Sequence, residues 1–271
     1  MSEPSQSHGF WPRRGTVGTA FGAAVAVGLL WLSPVSPMAL SQGDVAVGNG
    51  QPDVAVARYD QVARYSPFRS LREEALWRGA MVSAVDLGDD KGALKRFRTL
   101  LAHMPDSEHA AEAWDQIGHL LIARDQRNAD AGVAFGHSFR IAPGDAQADQ
   151  RLTRSAHSYA EANLLVRSDR AYEQLARTFP ELKARSLIGR AENEMLRKNI
   201  QEALALYEDA IPHANDANVR AVARFGAASC LERLGNLDEA IAALDSADVP
   251  TEVSERRRTG ISNRRDARDS E

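Results

Sequence analysis

Two pairs of residues carry side chains that can bind a metal or move a proton, and each pair is spaced for one face of a helix. Asp115 and His119 are four residues apart, and so are His157 and Glu161. On an α-helix, residues with this spacing lie side by side. Histidine and carboxylate groups are also zinc ligands. The four residues are therefore a candidate metal site, and the alternative interpretation is a polar, solvated helix surface.

Covalent chemistry has no comparable pattern in the sequence. The motifs HExxH, GxxxxGKS/T and GxSxG are absent from the 271 residues, and the spacing of serine, histidine and aspartate residues supports no catalytic triad. The single cysteine, Cys230, lies in the helix-like stretch AASCLERLG, where a small buried core residue is a more ordinary role than a reactive thiol. We predict no catalytic residue and no cofactor, and we favour a solvated surface over a metal site.

The composition favours a helical protein and limits its partners. Alanine and leucine, which are strong helix formers, are abundant, whereas aromatic residues make up 6% of the chain. The formal net charge is −4, which argues against a dedicated nucleic-acid binder because such proteins are usually basic. One cysteine excludes an intramolecular disulfide and any zinc site built from several cysteines.

The N-terminal region has the pattern of a membrane segment. Residues 15–32 carry no charge, and as a helix they would span about 27 Å, close to the thickness of the hydrocarbon core of a bilayer. Arg13 and Arg14 precede this segment, and the next basic residue is Arg58. The positive-inside rule therefore keeps the N-terminus in the cytoplasm and exports the rest of the chain.

We predict a cytoplasmic tail at 1–14 and a transmembrane signal-anchor at 15–33, so that the protein sits in a bacterial inner membrane with its main domain in the periplasm. The alternative is a signal peptide that is cleaved at about residue 41, which would leave a soluble periplasmic protein. The length of the apolar stretch favours the anchor, whereas its many glycine and alanine residues favour cleavage.

A period of about 38 residues runs along the chain. Prolines lie at positions 67, 105, 143 and 180, with spacings of 38, 38 and 37 residues. A small residue precedes each proline by twelve positions and an aromatic residue precedes it by eight: Ala55, Ala93, Ala131 and Ser168, then Tyr59, Phe97, Phe135 and Tyr172. Small and aromatic residues four apart form one stripe on a helix, and the proline ends that helix.

Two further segments repeat the stripe without the proline, at Ala203 with Tyr207 and at Ala240 with Leu244. Glycines precede the small residue by five positions in three of the six segments, at Gly50, Gly88 and Gly235. A glycine at this place can adopt the left-handed conformation that joins two helices. We therefore predict a turn between two helices at each of the three glycines.

The segments upstream of each stripe carry a second pattern. One reads Trp114, Ile117, Gly118 and Leu121, and another begins at Trp77. This pattern resembles the W-x2-L-G-x2-Y signature of the tetratricopeptide repeat, whose second helix carries alanine, aromatic and proline positions like those described above. The resemblance covers roughly residues 36–250 and implies an all-α solenoid of about six helix–turn–helix units with a concave groove.

In that family, the groove is lined by first-helix residues that point away from the packing positions, and it binds a segment of a protein partner. The corresponding residues here are Arg78, Asp86, Asp115, His119, Thr153, His157, Glu161 and Glu192, and the apolar Val82 and Ile188 fall at positions of the same kind. Phe225, Ser229 and Glu232 take similar places in the last unit. The lysines and asparagines with which some members hold a terminal carboxylate are absent at the corresponding places, which argues against a carboxylate clamp. The acidic residues and two histidines of the groove favour a partner with basic or hydrogen-bonding groups.

The resemblance implies a non-catalytic protein–protein interaction scaffold of the bacterial cell envelope. Its partners would be an unidentified protein and, through residues 15–32, the membrane, with neither nucleic acid nor a small-molecule substrate. One alternative is a soluble periplasmic adaptor of a secretion or envelope-assembly complex. A second alternative, of a different class, is a regulatory module that presents a metal or other ligand site.

The C-terminal residues 251–271 form a charged tail with six arginines and five acidic residues. This segment lacks the apolar periodicity of a packed helix, and we predict that it is disordered.

Overall fold

The computed structural model describes residues 37–245 and 251–269, and within these residues it contains thirteen α-helices, one short 3-10 turn at Pro180–Leu182 and no β-strand. The helices are α1 Pro37–Gly48, α2 Pro52–Tyr65, α3 Arg69–Val85, α4 Asp90–His103, α5 Ala110–Asp125, α6 Asn128–Ile141, α7 Ala148–Glu161, α8 Leu165–Thr178, α9 Lys183–Arg197, α10 Ile200–His213, α11 Ala217–Leu234, α12 Leu237–Asp245 and α13 Thr251–Asp269. The expected all-α architecture is confirmed.

The chain divides into two compact units, with the boundary between Leu100 and Leu101 near the end of α4. In the first unit, α2 packs against α1 and α3, around an apolar cluster that includes Ala55, Tyr59 and Val62. In the second unit, each helix from α5 to α13 packs against the next one along the chain. The helices α5 to α12 therefore form four consecutive helix–turn–helix pairs.

The small-and-aromatic stripe lies in the core of every pair, as predicted. The small residues Ala55, Ala93, Ala131, Ser168, Ala203 and Ala240 are fully buried, and the larger residues Tyr59, Phe97, Phe135, Tyr172, Tyr207 and Leu244 are also buried. The prolines at 67, 105, 143 and 180 each lie two residues after the end of a second helix. The sequence pattern thus locates both the packed face of each second helix and its end.

Glycines on the helices allow the buried aromatic rings to lie against the backbone. A Cβ atom added at Gly118 would lie 2.6 Å from the ring of Phe135, closer than real Cβ contacts allow. The same close approach joins Gly189 to Tyr172 and Gly226 to Tyr207. Such contacts leave no space for a methyl group in a close-packed interior, and they fix the distance between neighbouring helices.

One residue with a positive φ lies at the turn inside each of the six helix pairs. The predicted glycines have φ angles of 68° at Gly50, 61° at Gly88 and 84° at Gly235. In the other three pairs the place is taken by Gln126, Asn163 and Lys198, with φ angles of 49°, 57° and 66°. The left-handed turn is therefore a feature of every pair, although only three pairs mark it with glycine.

The prediction of a disordered tail was wrong, because Thr251–Asp269 form α13. Ile261 is fully buried against Leu231 and Leu244, and Arg257 and Arg264 bind Glu232 on α11. One apolar side chain and two ion pairs are too few to produce a periodic pattern in the sequence, yet they hold this helix on the last pair.

The predicted N-terminal tail at 1–14 and the membrane segment at 15–33 lie outside the described residues. Within residues 37–245 and 251–269, none of the helices combines the length and the apolar character needed to cross a bilayer.

Candidate functional site

In the first unit, the candidate residue Arg78 is held by carboxylates of the protein itself. Its Nη1 atom lies 2.5 Å from Oδ2 of Asp44, and its Nε atom lies 2.5 Å from Oε1 of Glu74. The hydroxyl of Tyr59 donates a hydrogen bond of 2.7 Å to the other oxygen of Asp44. Asp86 directly follows α3 and is exposed. Arg78 thus links α1 to α3, and a partner would meet it as part of this network.

In the second unit, Asp115 is buried rather than displayed on the surface. Its residue is only 5% exposed, because Arg154 reaches across from α7 and places Nη1 within 3.1 Å and 3.2 Å of the two carboxylate oxygens. His119 Nε2 lies 3.4 Å from Asp115 Oδ2. The helical spacing predicted that Asp115 and His119 are neighbours, and the structure confirms this. The ion pair between Arg154 and Asp115 was not predicted from the sequence.

The charge of Asp115 is stabilised despite its burial. Burial opposes ionisation, but the hydrogen bond with His119 and the positive charges of Arg154 and Arg151 outweigh it, so that the pKa of Asp115 lies below its ordinary value of 3.8. A carboxylate with a lowered pKa is a poor proton acceptor, so this pair is suited to hold α5 and α7 together and unsuited to acid–base catalysis.

We expect Asp115 to stabilise the fold at neutral pH and to lose this effect in acid. Because its pKa in the folded protein lies below 3.8, its contribution is complete above that pH and disappears as the pH falls through the folded-state value. Urea denaturation at about pH 6 and about pH 3 should show that the free-energy difference between the wild type and Asp115→Asn shrinks in acid. An unchanged or larger difference at the lower pH would contradict this assignment.

His119 is exposed beside this ion pair and contacts an aromatic ring. Its side chain is 48% exposed, and its imidazole meets the buried ring of Phe135 edge-on, with 5.1 Å between ring centroids. The guanidinium of Arg154 lies 6.0 Å from the same ring centroid. The surface at this point therefore offers an imidazole and a guanidinium above a phenyl ring.

Four further candidate residues lie on α7 and α9, and all four are exposed. His157 and Glu161 are neighbours on α7, with 3.7 Å between Nε2 and Oε1, and their side chains are 67% and 58% exposed. Thr153 is exposed one turn earlier and donates a hydrogen bond of 2.8 Å to the carbonyl of Asp149. These residues present imidazole and carboxylate groups to solvent on one face of α7.

Glu192 on α9 belongs to the same polar area. Its side chain reaches solvent, but the protein atoms around the carboxyl raise its pKa, and the charge of His157 on the neighbouring first helix opposes that rise. Burial, followed by the charges of Glu192 and Asp169, raises the pKa of Tyr172 to about 12. Electrostatic coupling thus joins His157 on α7 and Glu192 on α9 to Tyr172 on the second helix α8, which lies between them in the chain. Tyr172 and Tyr207 were not predicted as part of the site.

The candidate metal ligands do not converge. Among the described residues, no three ligand atoms from Asp115, His119, His157 and Glu161 lie within 4.8 Å of one another. The two helical pairs are each formed, but Asp115 is committed to Arg154 whereas His157 and Glu161 face solvent. The geometry favours a polar surface over a metal centre at this place.

Cys230 is a core residue, as predicted. It is fully buried on α11, with its Sγ atom 3.4 Å from Sδ of Met195. Burial raises the pKa of the thiol above its ordinary value of 9.0, so the reactive thiolate is disfavoured.

The comparisons with known proteins agree with this geometry. Residues 217–252, which contain α11 and α12, match the family model described as tetratricopeptide repeat. At these residues the chain resembles a tetratricopeptide repeat. No curated protein matches the sequence. Within the described residues, the six helix pairs form six structural repeats, and α13 follows the last of them.

Two solved structures whose descriptions name tetratricopeptide repeats share the fold, with TM-scores of 0.57 and 0.50. The C-terminal part of a tetratricopeptide repeat-containing protein from Cytophaga hutchinsonii is 14% identical, with 83% of this chain and 88% of that chain covered and a TM-score of 0.57. A signal transduction ATPase with a tetratricopeptide repeat sensor from Pyrococcus horikoshii is 13% identical, with 78% of this chain and 36% of that chain covered and a TM-score of 0.50. MamA is 18% identical, with coverages of 63% and 93% and a TM-score of 0.45.

Proposed function

We propose that this tetratricopeptide repeat protein is a non-catalytic scaffold that binds a segment of a protein partner. The supporting observation is that His119, His157 and Glu192 take equivalent positions on three consecutive first helices and are exposed and polar, whereas the opposite faces of these helices are buried. Thr153 and Glu161 add exposed polar groups on α7, although Asp115 and Ile188, at the position equivalent to Thr153, are buried. Each of these helices already uses its apolar face for packing between repeats, so the polar face is the part that is left for a partner.

Charge suggests the chemistry of the partner segment. Glu161 and Glu192 provide two carboxylates, and His157, which precedes both in sequence, couples to each of them. A lysine or arginine side chain of the partner would satisfy these carboxylates, whereas an acidic segment would be repelled. We therefore propose a partner segment with basic groups.

Site-specific photocrosslinking in cells tests this surface. We expect a crosslinker placed at position 157 or 192 to capture the same protein, whereas one placed at Gln174, which is exposed on the second helix α8, should capture none. In the double variant Glu161→Gln/Glu192→Gln, we expect the yield at position 157 to fall about tenfold. This change corresponds to about 1.4 kcal/mol of binding free energy, which is within the range for loss of a central interface contact.

The matched control replaces two carboxylates that are exposed on a second helix, Glu202 and Glu208 of α10. The double variant Glu202→Gln/Glu208→Gln removes the same charge and should leave the crosslinking yield unchanged. Equal losses in the two double variants, or capture at Gln174 alone, would reject the proposed surface.

We also propose that the repeats lie in the periplasm and that residues 15–32 hold the protein in the inner membrane. The support comes from the uncharged stretch and from Arg13 and Arg14 before it. Alkaline phosphatase fused after residue 245 should be active in cells, and the purified protein should retain its first residues. A mature chain that begins near Gln42 would support the soluble periplasmic adaptor instead, and an inactive fusion would reject export.

A further inference from the structure

The helix α13 covers first-helix positions of the last repeat that resemble the partner-facing positions of the earlier repeats. The guanidinium of Arg257 lies 4.5 Å from the ring centroid of Phe225. Its Nε and Nη2 atoms donate hydrogen bonds of 3.1 Å and 2.9 Å to Oε2 of Glu232. Arg264 donates to the other oxygen of the same carboxylate. The Glu232 side chain is only 13% exposed. Among the described residues, the two arginines that form ion pairs with it, Arg257 and Arg264, both belong to α13.

An apolar anchor lies between the two arginines. Ile261 is fully buried in a cluster with Ala228, Leu231, Leu237 and Leu244. Arg257, Ile261 and Arg264 are spaced at i, i+4 and i+7, which places them on one face of α13. The last repeat thus recognises a helix through one apolar side chain flanked by two arginines.

The sequence of α13 is poorly suited to form a helix without these contacts. Gly260 lies in its middle, and a Cβ atom added there would meet open space, so packing does not demand this glycine. Compared with alanine, glycine inside a helix lowers helix formation about fivefold. The remaining ion pairs, Arg258 with Asp245 and Arg265 with Asp238, are largely exposed and contribute little. The helical structure of α13 therefore depends on its contacts with the last repeat.

We propose that the face formed by Phe225, Leu231 and Glu232 is a binding site for a partner helix that carries an apolar residue between two arginines, and that α13 fills this site as a tethered competitor. Because α13 belongs to the same chain as this face, it competes intramolecularly, and a partner helix must exceed its effective concentration. A partner helix gains access when it outcompetes α13. This site is separate from the surface at His157 and Glu192, and neither assignment depends on the other.

Competition between the tethered helix and a free copy of the same sequence tests the proposal. The probe is a fluorescently labelled peptide of residues 251–269, which is titrated with the full-length protein and followed by fluorescence anisotropy. We expect weak binding to the wild type, and at least about tenfold tighter binding to Arg257→Ala/Arg264→Ala, because the tethered competitor is weakened while the peptide keeps both arginines. Adding Glu232→Gln to that variant should abolish the gain.

Two further variants act as matched tests. Gly260→Ala strengthens α13 without touching a neighbour and should weaken peptide binding about fivefold relative to the wild type. Arg258→Ala/Arg265→Ala removes the same number of arginines from α13 but leaves Glu232 paired, and it should bind the peptide like the wild type. Hydrogen exchange should show faster exchange in α13 of Arg257→Ala/Arg264→Ala, with α11 and α12 still protected.

Several outcomes would overturn the proposal. The absence of a gain in Arg257→Ala/Arg264→Ala, an equal gain in Arg258→Ala/Arg265→Ala, or a gain that survives Glu232→Gln would each show that the peptide does not bind at this face. Joint loss of protection in α12 and α13 would show that α13 is a permanent part of the last repeat. If the double arginine variant does not fold, Ile261→Ser replaces it with the same expectations.

Discussion

Replacement of Phe135 by alanine is expected to lower the free energy of unfolding by about 3–5 kcal/mol. Phe135 is fully buried, and its ring fills the space between α6 and the backbone of α5 at Gly118. The same ring supports His119 and Arg154 at the candidate surface. Removal of the ring leaves a cavity that the close-packed helices cannot collapse to fill.

Gly118, against which the Phe135 ring packs, provides a test of this prediction. The effect of Gly118→Ala on the free energy of unfolding should change sign when Phe135 is replaced by alanine. Gly118→Ala alone places a Cβ atom 2.6 Å from the Phe135 ring, and we expect overpacking to destabilise the protein by about 1–3 kcal/mol, partly offset by the better helix propensity of alanine. In the Phe135→Ala background the obstructing ring is gone, so Gly118→Ala should stabilise the protein by about 1 kcal/mol. Urea denaturation followed by circular dichroism measures the four proteins of this double-mutant cycle. The same sign in both backgrounds would contradict the proposed packing.

Removal of the Asp145 carboxylate should also cost up to about 3 kcal/mol, the lower end of the range for breaking a buried ion pair, because Arg151 is buried although Asp145 is 40% exposed. Arg151 is 3% exposed, and its Nη1 atom lies 2.7 Å from Oδ2 of Asp145. Within the described residues, neither Nη1 nor Nε of Arg151 has a hydrogen-bond partner, so the charge of Asp145 is its principal compensation. Asp145→Ala would leave a buried guanidinium with only the more distant charge of Asp115.

The second substitution in this experiment is Arg151→Met, which removes the buried charge and keeps a similar volume. A buried ion pair can often be replaced by apolar side chains with little loss, so Asp145→Ala/Arg151→Met should recover most of the stability lost in Asp145→Ala. The control Asp130→Ala removes the exposed ion pair with Arg127 and should cost less than about 1 kcal/mol. If Asp145→Ala and Asp130→Ala lower the free energy of unfolding equally in urea denaturation, then Asp145 does not stabilise the buried charge of Arg151.

The features of this fold that could be predicted from the sequence are those determined by contacts between residues close in the chain. Ala131 and Phe135 pack within one helix pair, and their spacing on a helix is visible in the residue order. The turn at Gly88 was equally visible because glycine favours a positive φ, whereas Gln126 and Lys198 adopt the same conformation without a compositional signal. Packing of the two helices determines the turn in those repeats, and residue type alone does not reveal it.

The candidate site was predictable in its polar character but not in its pairing. The helical spacing located His119 next to Asp115, but it could not indicate that Arg154, 39 positions away, would bury Asp115. The position of a long side chain depends on the distance between neighbouring helices, which the sequence does not express. For the same reason α13 was missed, since its order comes from Glu232 and the apolar cluster around Ile261.

The burial of Cys230 makes this protein a convenient substrate for selective chemical labelling. It is the only cysteine among the 271 residues, and it is enclosed by α9, α10 and α11. A cysteine introduced at Gln174 or His157 can therefore be modified by a maleimide in the native protein without removal of the natural thiol. Cys230 itself reacts only when these helices separate. The rate at which it is modified therefore reports how often the last two repeats open locally.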